Sequence, residues 1–296
     1  MDPFRCNICG KSNPRTGAAP DRERPSCSHC GSNTRIRGLL HALSMELFGT
    51  GLALPDFPRL KSLRGLGTSD SGSYAHALAD RFDYLNTYFD REPRFDITAP
   101  PDQYLGQYDF LTSSEVFEHV LPPLEATFRN CYRLLRDTGV MVFTMPYSIE
   151  PASLEHYPDL HQHGLAQIAG ETVLVNRTAA GAWQVFERPV FHRGITGDSL
   201  EAREINEPAL KALLAACGFS HVHVYSANVP EFGIVHAETW SLPIAARKGS
   251  FTLRPEAVRD LVEEWRRLSQ ATGKLNRSFL FRLGRELRLF ARQSGV

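Results

Sequence analysis

Four of the chain's six cysteines crowd into its first thirty residues: Cys6, Cys9, Cys27 and Cys30. They form two C-x2-C pairs seventeen residues apart, and each pair is followed by glycine, Gly10 and Gly31. Two residues between thiolates let a single turn aim both sulfurs at one ion, while glycine supplies the positive φ that the turn requires. Two such turns predict a closed, four-thiolate structural zinc site. A redox dithiol needs only one C-x-x-C, and a disulfide framework needs an oxidising compartment that nothing at MDPFRCNICG announces. The surrounding module is basic, with Arg5, Lys11, Arg15, Arg22, Arg24, Arg35 and Arg37 against Asp2, Asp21 and Glu23. Such charge suits RNA phosphates or an anionic ligand; a solvated surface on a small metal-held fold accounts for it as simply and is the preferred reading.

A second group with chemistry in it follows Pro146: Tyr147, Glu155, His156, Tyr157, His161, His163 and, later, His192. Histidine changes charge near neutral pH and is the usual proton acceptor there. His156, His161, Tyr147 and His192 are the candidates for a base. Each also has a plain reading as a surface or hydrogen-bonded side chain.

The elements that must position these groups alternate. Ile36–Phe48 carries apolar residues at helical spacing and links the cysteine module to the rest. The prolines of LALPDFPRL mark a boundary near residue 56. Short apolar runs at Lys61–Leu66, Tyr84–Asn86, Tyr108–Thr112 and Val140–Met145 then alternate with helical patterns near Ser73 and over Leu124–Leu135. A short strand or turn is expected at Arg94–Thr98. This predicts an α/β domain built on a largely parallel, doubly wound sheet, with ligands at the carboxyl ends of its strands.

The segment YDFLTSSEVFEHVLPPLEATFRNCYRLLRDTGVMVFTMPY, Tyr108–Tyr147, resembles the fourth-to-fifth strand region of class I S-adenosylmethionine-dependent methyltransferases. Asp109, Glu115, Glu118, His119, Arg133, Leu134, Leu135, Gly139 and Pro146 match the family's pattern, and Thr138 stands where a first glycine is usual. LKALLAACGFSHVHVY (Leu210–Tyr225) is similar to the family's late helix–strand segment. The resemblance implies a Rossmann-like fold, S-adenosylmethionine as cofactor and methyl transfer by in-line displacement. It places Gly65, Gly67, Ser69, Ser71, Asn86, Asp96, Ile97, Ser114 and Glu115 at the cofactor, with Asp96 at the adenine amino group. The chain departs from the pattern at the first loop, where Gly65 replaces the acid and Ser69 and Ser71 replace two glycines. Asn86 or Thr87 stands where the family carries the ribose-binding acid. The same resemblance puts His156 and His161 in the substrate cap.

Residues 171–192 read as a β-hairpin inserted between strand five and the late helix, with its turn at Arg177–Gly181. Core packing is the expectation for Trp183, Phe186 and Phe191, and Arg193 and Arg203 are candidates to hold a phosphate or carboxylate. After Pro255 an amphipathic tail begins, with Val258, Leu261, Val262, Trp265 and Leu268 on one face and Phe279, Leu280, Leu283, Leu287 and Phe290 on a second. Packing against its own domain or a partner subunit is favoured over peripheral membrane contact. The expected organisation is therefore a zinc ribbon and linker helix (1–55), a methyltransferase-like domain (56–250) and a helical tail (251–296).

Thirty-three basic residues balance thirty-three acidic ones, and 42% of the chain is hydrophobic. Zero net charge disfavours a nucleic-acid enzyme, and no run of apolar residues is long enough to span a membrane. A cytoplasmic methyltransferase acting on a small molecule, sugar or nucleotide-sugar is expected. The alternatives are an rRNA or tRNA methyltransferase with a zinc-ribbon RNA module, and an inactive methyltransferase-fold scaffold.

Overall fold

The computed structural model describes residues 3–14, 21–121, 123–194 and 197–277, with the side chains of 192–194, 197–199 and 273–277 outside the description. The second apolar face expected on the tail, from Phe279 to Phe290, lies beyond the described residues.

The chain opens with a two-stranded ribbon, β1 (Phe4–Arg5) against β2 (Ser12–Asn13). Helix α1 (Thr34–Phe48) follows. The Asn33 side chain accepts from the Ile36 N–H at its start, and Gly49 ends it in the left-handed region, as cap chemistry demands. Four parallel strands make the centre of the molecule: β3 (Leu60–Thr68), β4 (Phe82–Thr87), β5 (Tyr108–Ser114) and β6 (Leu135–Thr144). Helices α2 (Gly72–Arg81) and α3 (Leu124–Leu134) make two of the crossovers. The Arg94–Thr98 segment forms no strand beyond a single bridge, Tyr88 to Arg94.

After β6 the chain builds a cap. Strands β7 (Tyr147–Ser148) and β8 (Leu154–Glu155) pair with the later β14 (Arg203–Asn206). Between them lie a three-stranded antiparallel sheet of β9 (Gln162–Ile168), β10 (Glu171–Arg177) and β11 (Trp183–Phe186), and a hairpin of β12 (Phe191–Gly194) with β13 (Gly197–Leu200). The expected hairpin is present and has gained β9 as a third strand. Trp183 is solvent-exposed at 69%, contrary to the core packing expected of it, whereas Phe186 packs edge-on against Tyr157. The cause is the alternation of β11, which turns Trp183 and Val185 outward while Phe186 faces in.

Helix α4 (Glu207–Ala216) leads to β15 (His221–Val224), and β16 (Ile244–Arg247) closes the sheet. The strand order is β15-β16-β6-β5-β3-β4, with β16 antiparallel to both its neighbours. Side chains alternate across the sheet into two cores. Leu63, Phe110, Val140, Val142 and Ala245 meet α1 and α2 on one face; Leu66, Leu111, Met141, Phe143 and Ile244 meet α3 and α4 on the other. Helices on both faces of a mostly parallel sheet define a Rossmann-like, doubly wound fold. Cys6, Ile8 and Cys27 belong to the first of these cores, together with Leu60 and Phe110.

Helix α5 (Pro255–Arg277) is fixed by its first turn. Ala257 is fully buried, the Asp260 carboxylate accepts from the Ser62 N–H (2.8 Å) and hydroxyl (2.7 Å), and Arg254 donates to Asp109 (3.1 Å). No described helix is long and apolar enough to cross a membrane.

Candidate metal centre and active site

The two cysteine turns repeat one construction. Gly10 N–H donates to the Cys6 carbonyl and Gly31 N–H to the Cys27 carbonyl, and both glycines lie at positive φ, 75° and 69°. The turns bring four Sγ atoms within 4.8 Å of one another, with Cys6–Cys30 at 3.7 Å and Cys9–Cys27 at 3.6 Å. A tetrahedron of thiolates about 2.3 Å from zinc has sulfur–sulfur edges of about 3.8 Å. The donor set therefore fits structural zinc. Arg37 is wholly buried beneath it, donating to Ser32 O (2.8 Å), Ser26 Oγ (2.8 Å) and Gly233 O (2.9 Å).

At the carboxyl edge of the parallel strands, two residues without a glycine's freedom adopt positive φ: Ser69 (58°) just beyond β3 and Glu115 (55°) just beyond β5. Each is held by an amide to its neighbour strand, Ser69 N–H to Thr87 O (2.6 Å) and Glu115 N–H to Thr144 O (2.9 Å). Left-handed backbone at non-glycine residues is strained and collects at functional edges. Ser69 thus takes a backbone conformation that glycine adopts without strain.

The glycine loop itself is closed from within. A Cβ on Gly65 would lie 2.2 Å from the Phe110 ring, and one on Gly67 would lie 2.0 Å from the Tyr84 hydroxyl. These glycines make room for the protein's own aromatics, Phe110 and Tyr84. The Asn86 side chain accepts from Asp70 N–H (3.0 Å) and donates to Asp70 O (2.9 Å), so its amide closes the turn. Ser71 caps α2 by accepting from Ser73 N–H. Asp70, which sequence reasoning passed over, is buried and accepts from Tyr74 (2.7 Å), Thr112 (2.5 Å) and Tyr84 hydroxyls. Burial pushes its carboxyl up, against the pull of those three donors.

Across the edge, Arg22 from the cysteine module reaches Glu115 at 3.0 Å. Arg35 from the first turn of α1 pairs with Glu23 (2.8 Å), donates to the Ser114 hydroxyl and lies 3.9 Å from Glu115. Burial would raise the Glu115 carboxyl, but Arg22 and Arg35 together hold it below its ordinary value. Three residues on, Glu118 is fully buried and its pKa is pushed well above the carboxylate range, by burial and then by the Glu115 charge. Asp96 accepts from the Thr98 N–H (2.9 Å) and hydroxyl (2.6 Å), beside buried Ile97.

Next to the two arginines opens a cavity of about 250 Å³, lined among others by Arg22, Arg35, His236, Glu238, Trp240 and Ser241. Burial, then the Arg22 charge, lowers the His236 pKa from that of an ordinary histidine, which favours the neutral ring. Of the candidate bases named from the sequence, Tyr147, His156 and His161 do not line this cavity. Tyr147 is buried, pushed up to about 12 by burial, and accepts from the Leu242 N–H (3.1 Å); it positions the wall. His156 sits 3.7 Å from Glu201 within the cap, and His161 is exposed on it. The His192 side chain lies outside the described residues. Arg203 is buried inside the fold, where Nε bonds Glu155 (2.7 Å) and Nη1 the carbonyls of Phe117 and Val120, while Nη2 has no hydrogen-bond partner.

Residues 59–180 match the family profile described as a methyltransferase domain. That segment runs from just before β3 to just past β10 and takes in all four parallel strands. No curated protein matches the chain. Among solved structures it is similar to an S-adenosylmethionine dependent methyltransferase from Mesorhizobium loti, at 17% identity over 66% of this chain and 95% of that one, TM-score 0.38. It is similar also to the 1,6-didemethyltoxoflavin-N1-methyltransferase of Burkholderia thailandensis with bound S-adenosylhomocysteine (16%, 63% and 71%, TM-score 0.37). A third is CalS10 of Micromonospora echinaspora, an amino pentose methyltransferase (14%, 74% and 93%, TM-score 0.39).

Proposed function

We propose that this protein transfers a methyl group from S-adenosylmethionine to a hydroxyl or amine of a small molecule, a sugar or the sugar ring of a nucleotide-sugar, with His236 as the proton acceptor. The observation that carries this is the cavity that His236 lines together with Arg22 and Arg35, the arginines that reach Glu115 and Ser114 at the end of β5. Trp240 offers an aromatic face and Glu238, Asp21 and the arginines offer polar groups, a lining suited to a polyhydroxylated ring.

The donor chemistry fits the cofactor at its two ends. Arg35 and Ser114 would hold its carboxylate, Glu115 its ammonium, and Asp96 with Ile97 its adenine. The cofactor supplies a methyl group already activated on a sulfonium, which leaves the protein to align the acceptor and remove one proton. Burial first, and then the Arg22 charge, disfavours protonation of His236, which favours the ring form able to take that proton. The four cysteines would hold a structural zinc ion that shapes the cavity wall without touching the reaction.

Internal pairing of the module's arginines favours this reading over RNA methylation. Arg5 is paired with Asp56, Arg22 with Glu115, Arg35 with Glu23, and Arg37 is buried. Calorimetric titration with S-adenosylmethionine and S-adenosylhomocysteine is the first test, and micromolar binding of both is expected. His236→Gln should then keep that affinity while kcat on a sugar acceptor falls on the order of 100-fold. Absence of binding to either compound would move the reading to a non-catalytic scaffold.

A further inference from the structure

We propose that the cavity selects a single hydroxylated ring that carries an ammonium group and no phosphate, with the ammonium at Asp21, Glu238 and Trp240 and a ring hydroxyl at Thr34. This rests on the reading above, in which the cavity lined by His236 receives the methyl acceptor, and it narrows that acceptor by charge. The two cations of the lining are already engaged. Arg22 reaches both oxygens of Glu115 (3.0 and 3.5 Å), and the Arg35 Nε bonds both oxygens of Glu23 (2.8 and 2.9 Å). No cation engages the two acids. Asp21 accepts from the Glu23 N–H (2.8 Å), and among the described residues Glu238 has neither a hydrogen bond nor an ion pair. The charge left for a ligand is therefore negative.

Burial sorts the lining from its opening inward. Asp21, Glu238 and Trp240 are solvent-exposed, whereas Thr34, in the first turn of α1, is buried. The Thr34 hydroxyl has no hydrogen-bond partner within the protein. Native structures leave few buried hydroxyls unpaired, because each costs stability, so Thr34 is the group that a ring hydroxyl completes. At the opening, an aromatic face beside two carboxylates attracts an ammonium through both the ring quadrupole and the charges. A phosphate there would meet carboxylates that no cation offsets, and like charges brought together lose affinity. Size points the same way. The cavity's 250 Å³ lies under the roughly 300 Å³ at which sites for drug-sized ligands begin. One ring fits, and the diphosphate of a nucleotide-sugar would lie at the acidic opening.

Saturation-transfer NMR titrations of the full chain with glucosamine, glucose and glucose 6-phosphate test this. Glucosamine should bind about 10-fold tighter than glucose, and glucose 6-phosphate more weakly than glucose. Glu238→Gln combined with Asp21→Asn should bring glucosamine down to the level of glucose and relieve the penalty on the phosphate. Thr34→Val should weaken glucose and glucosamine alike by several-fold while leaving the melting temperature unchanged or raised, since the unpaired hydroxyl is gone; a merely structural Thr34 would move the melting temperature alone. A preference for glucose 6-phosphate, equal binding of glucosamine and glucose, no binding of any of the three, or variants that bind as the wild type does would each overturn the proposal. The sugars are titrated without cofactor, so these outcomes stay separate from a failure of S-adenosylmethionine to bind, which would sink the methyltransferase reading instead.

Discussion

Glu118 is the residue with the most unusual surroundings in the site. It is fully buried, neither carboxyl oxygen has a hydrogen-bond partner, and the nearest opposing group is His119 Nε2 at 3.6 Å. Burial and the neighbouring Glu115 raise its pKa well above the unfolded value. The folded chain therefore binds more proton than the unfolded chain from about pH 4.3 upward, and stability falls as pH rises through that interval. Glu115 works the other way: its lowered pKa gives stability that is present above the ordinary carboxylate value and lost only in more acid solution. Glu118→Gln removes the first effect and leaves the second. Melting temperatures should then fall less between pH 5 and pH 8 in the variant than in the wild type, and parallel curves would sink this assignment. His236 gives a kinetic counterpart. Its lowered pKa moves the acid limb of the rate profile to lower pH than an ordinary histidine would give, because protonation disables the base. Glutamine at 236 should erase that limb.

Among the elements, the first loop carries the sharpest prediction. Ser69 holds φ 58° where glycine would sit without strain, and left-handed backbone costs an L-residue about 1–2 kcal/mol. Ser69→Gly recovers part of that, less the entropy glycine adds to the unfolded chain, so denaturant unfolding should show a variant no less stable and up to about 1 kcal/mol more so. A clear loss would mean the Ser69 side chain holds the turn. The alternation of strands and helices was legible in the sequence because central parallel strands are short unbroken apolar runs and α1 and α3 have helical spacing. β16 was not, since IAAR is four residues with two alanines and gains its identity only from β6 and β15 on either side. The site was legible where chemistry is local, in the two C-x2-C turns with their glycines. His236 gave no local signal: the cavity it lines joins residues from 21 to 243, and only the packing of α1 beside that loop brings Arg22 and Arg35 to it. The packing around the glycine loop was not legible for a related reason, since Tyr84 and Phe110 arrive from other strands to lie against Gly67 and Gly65.

Over the whole molecule, the cysteine module and the parallel sheet share one core. Cys6, Ile8 and Cys27 share a core with Leu60, Phe110 and Val140, and Arg22, which lies between the two cysteine turns in sequence, ends on Glu115 at the edge of β5. Metal binding that orders those turns thereby also orders one wall of the cavity. Cys27→Ser should lose stoichiometric zinc, lower the melting temperature, and remove methyl transfer together with cofactor binding, because Arg22 and Arg35 lose their common anchor. Arg22→Ala separates the two effects. It should retain zinc by metal analysis and cost about 1–3 kcal/mol by exposing a buried carboxylate to fewer donors. It should also raise the pKa of His236 by removing a nearby positive charge, which moves the acid limb of the rate profile toward neutrality. A Cys27→Ser protein with full zinc content would refute the four-thiolate site. A zinc-depleted protein with unaltered cofactor affinity would show instead that the module merely adjoins the sheet, and that Arg22 and Arg35 hold their places through α1 alone.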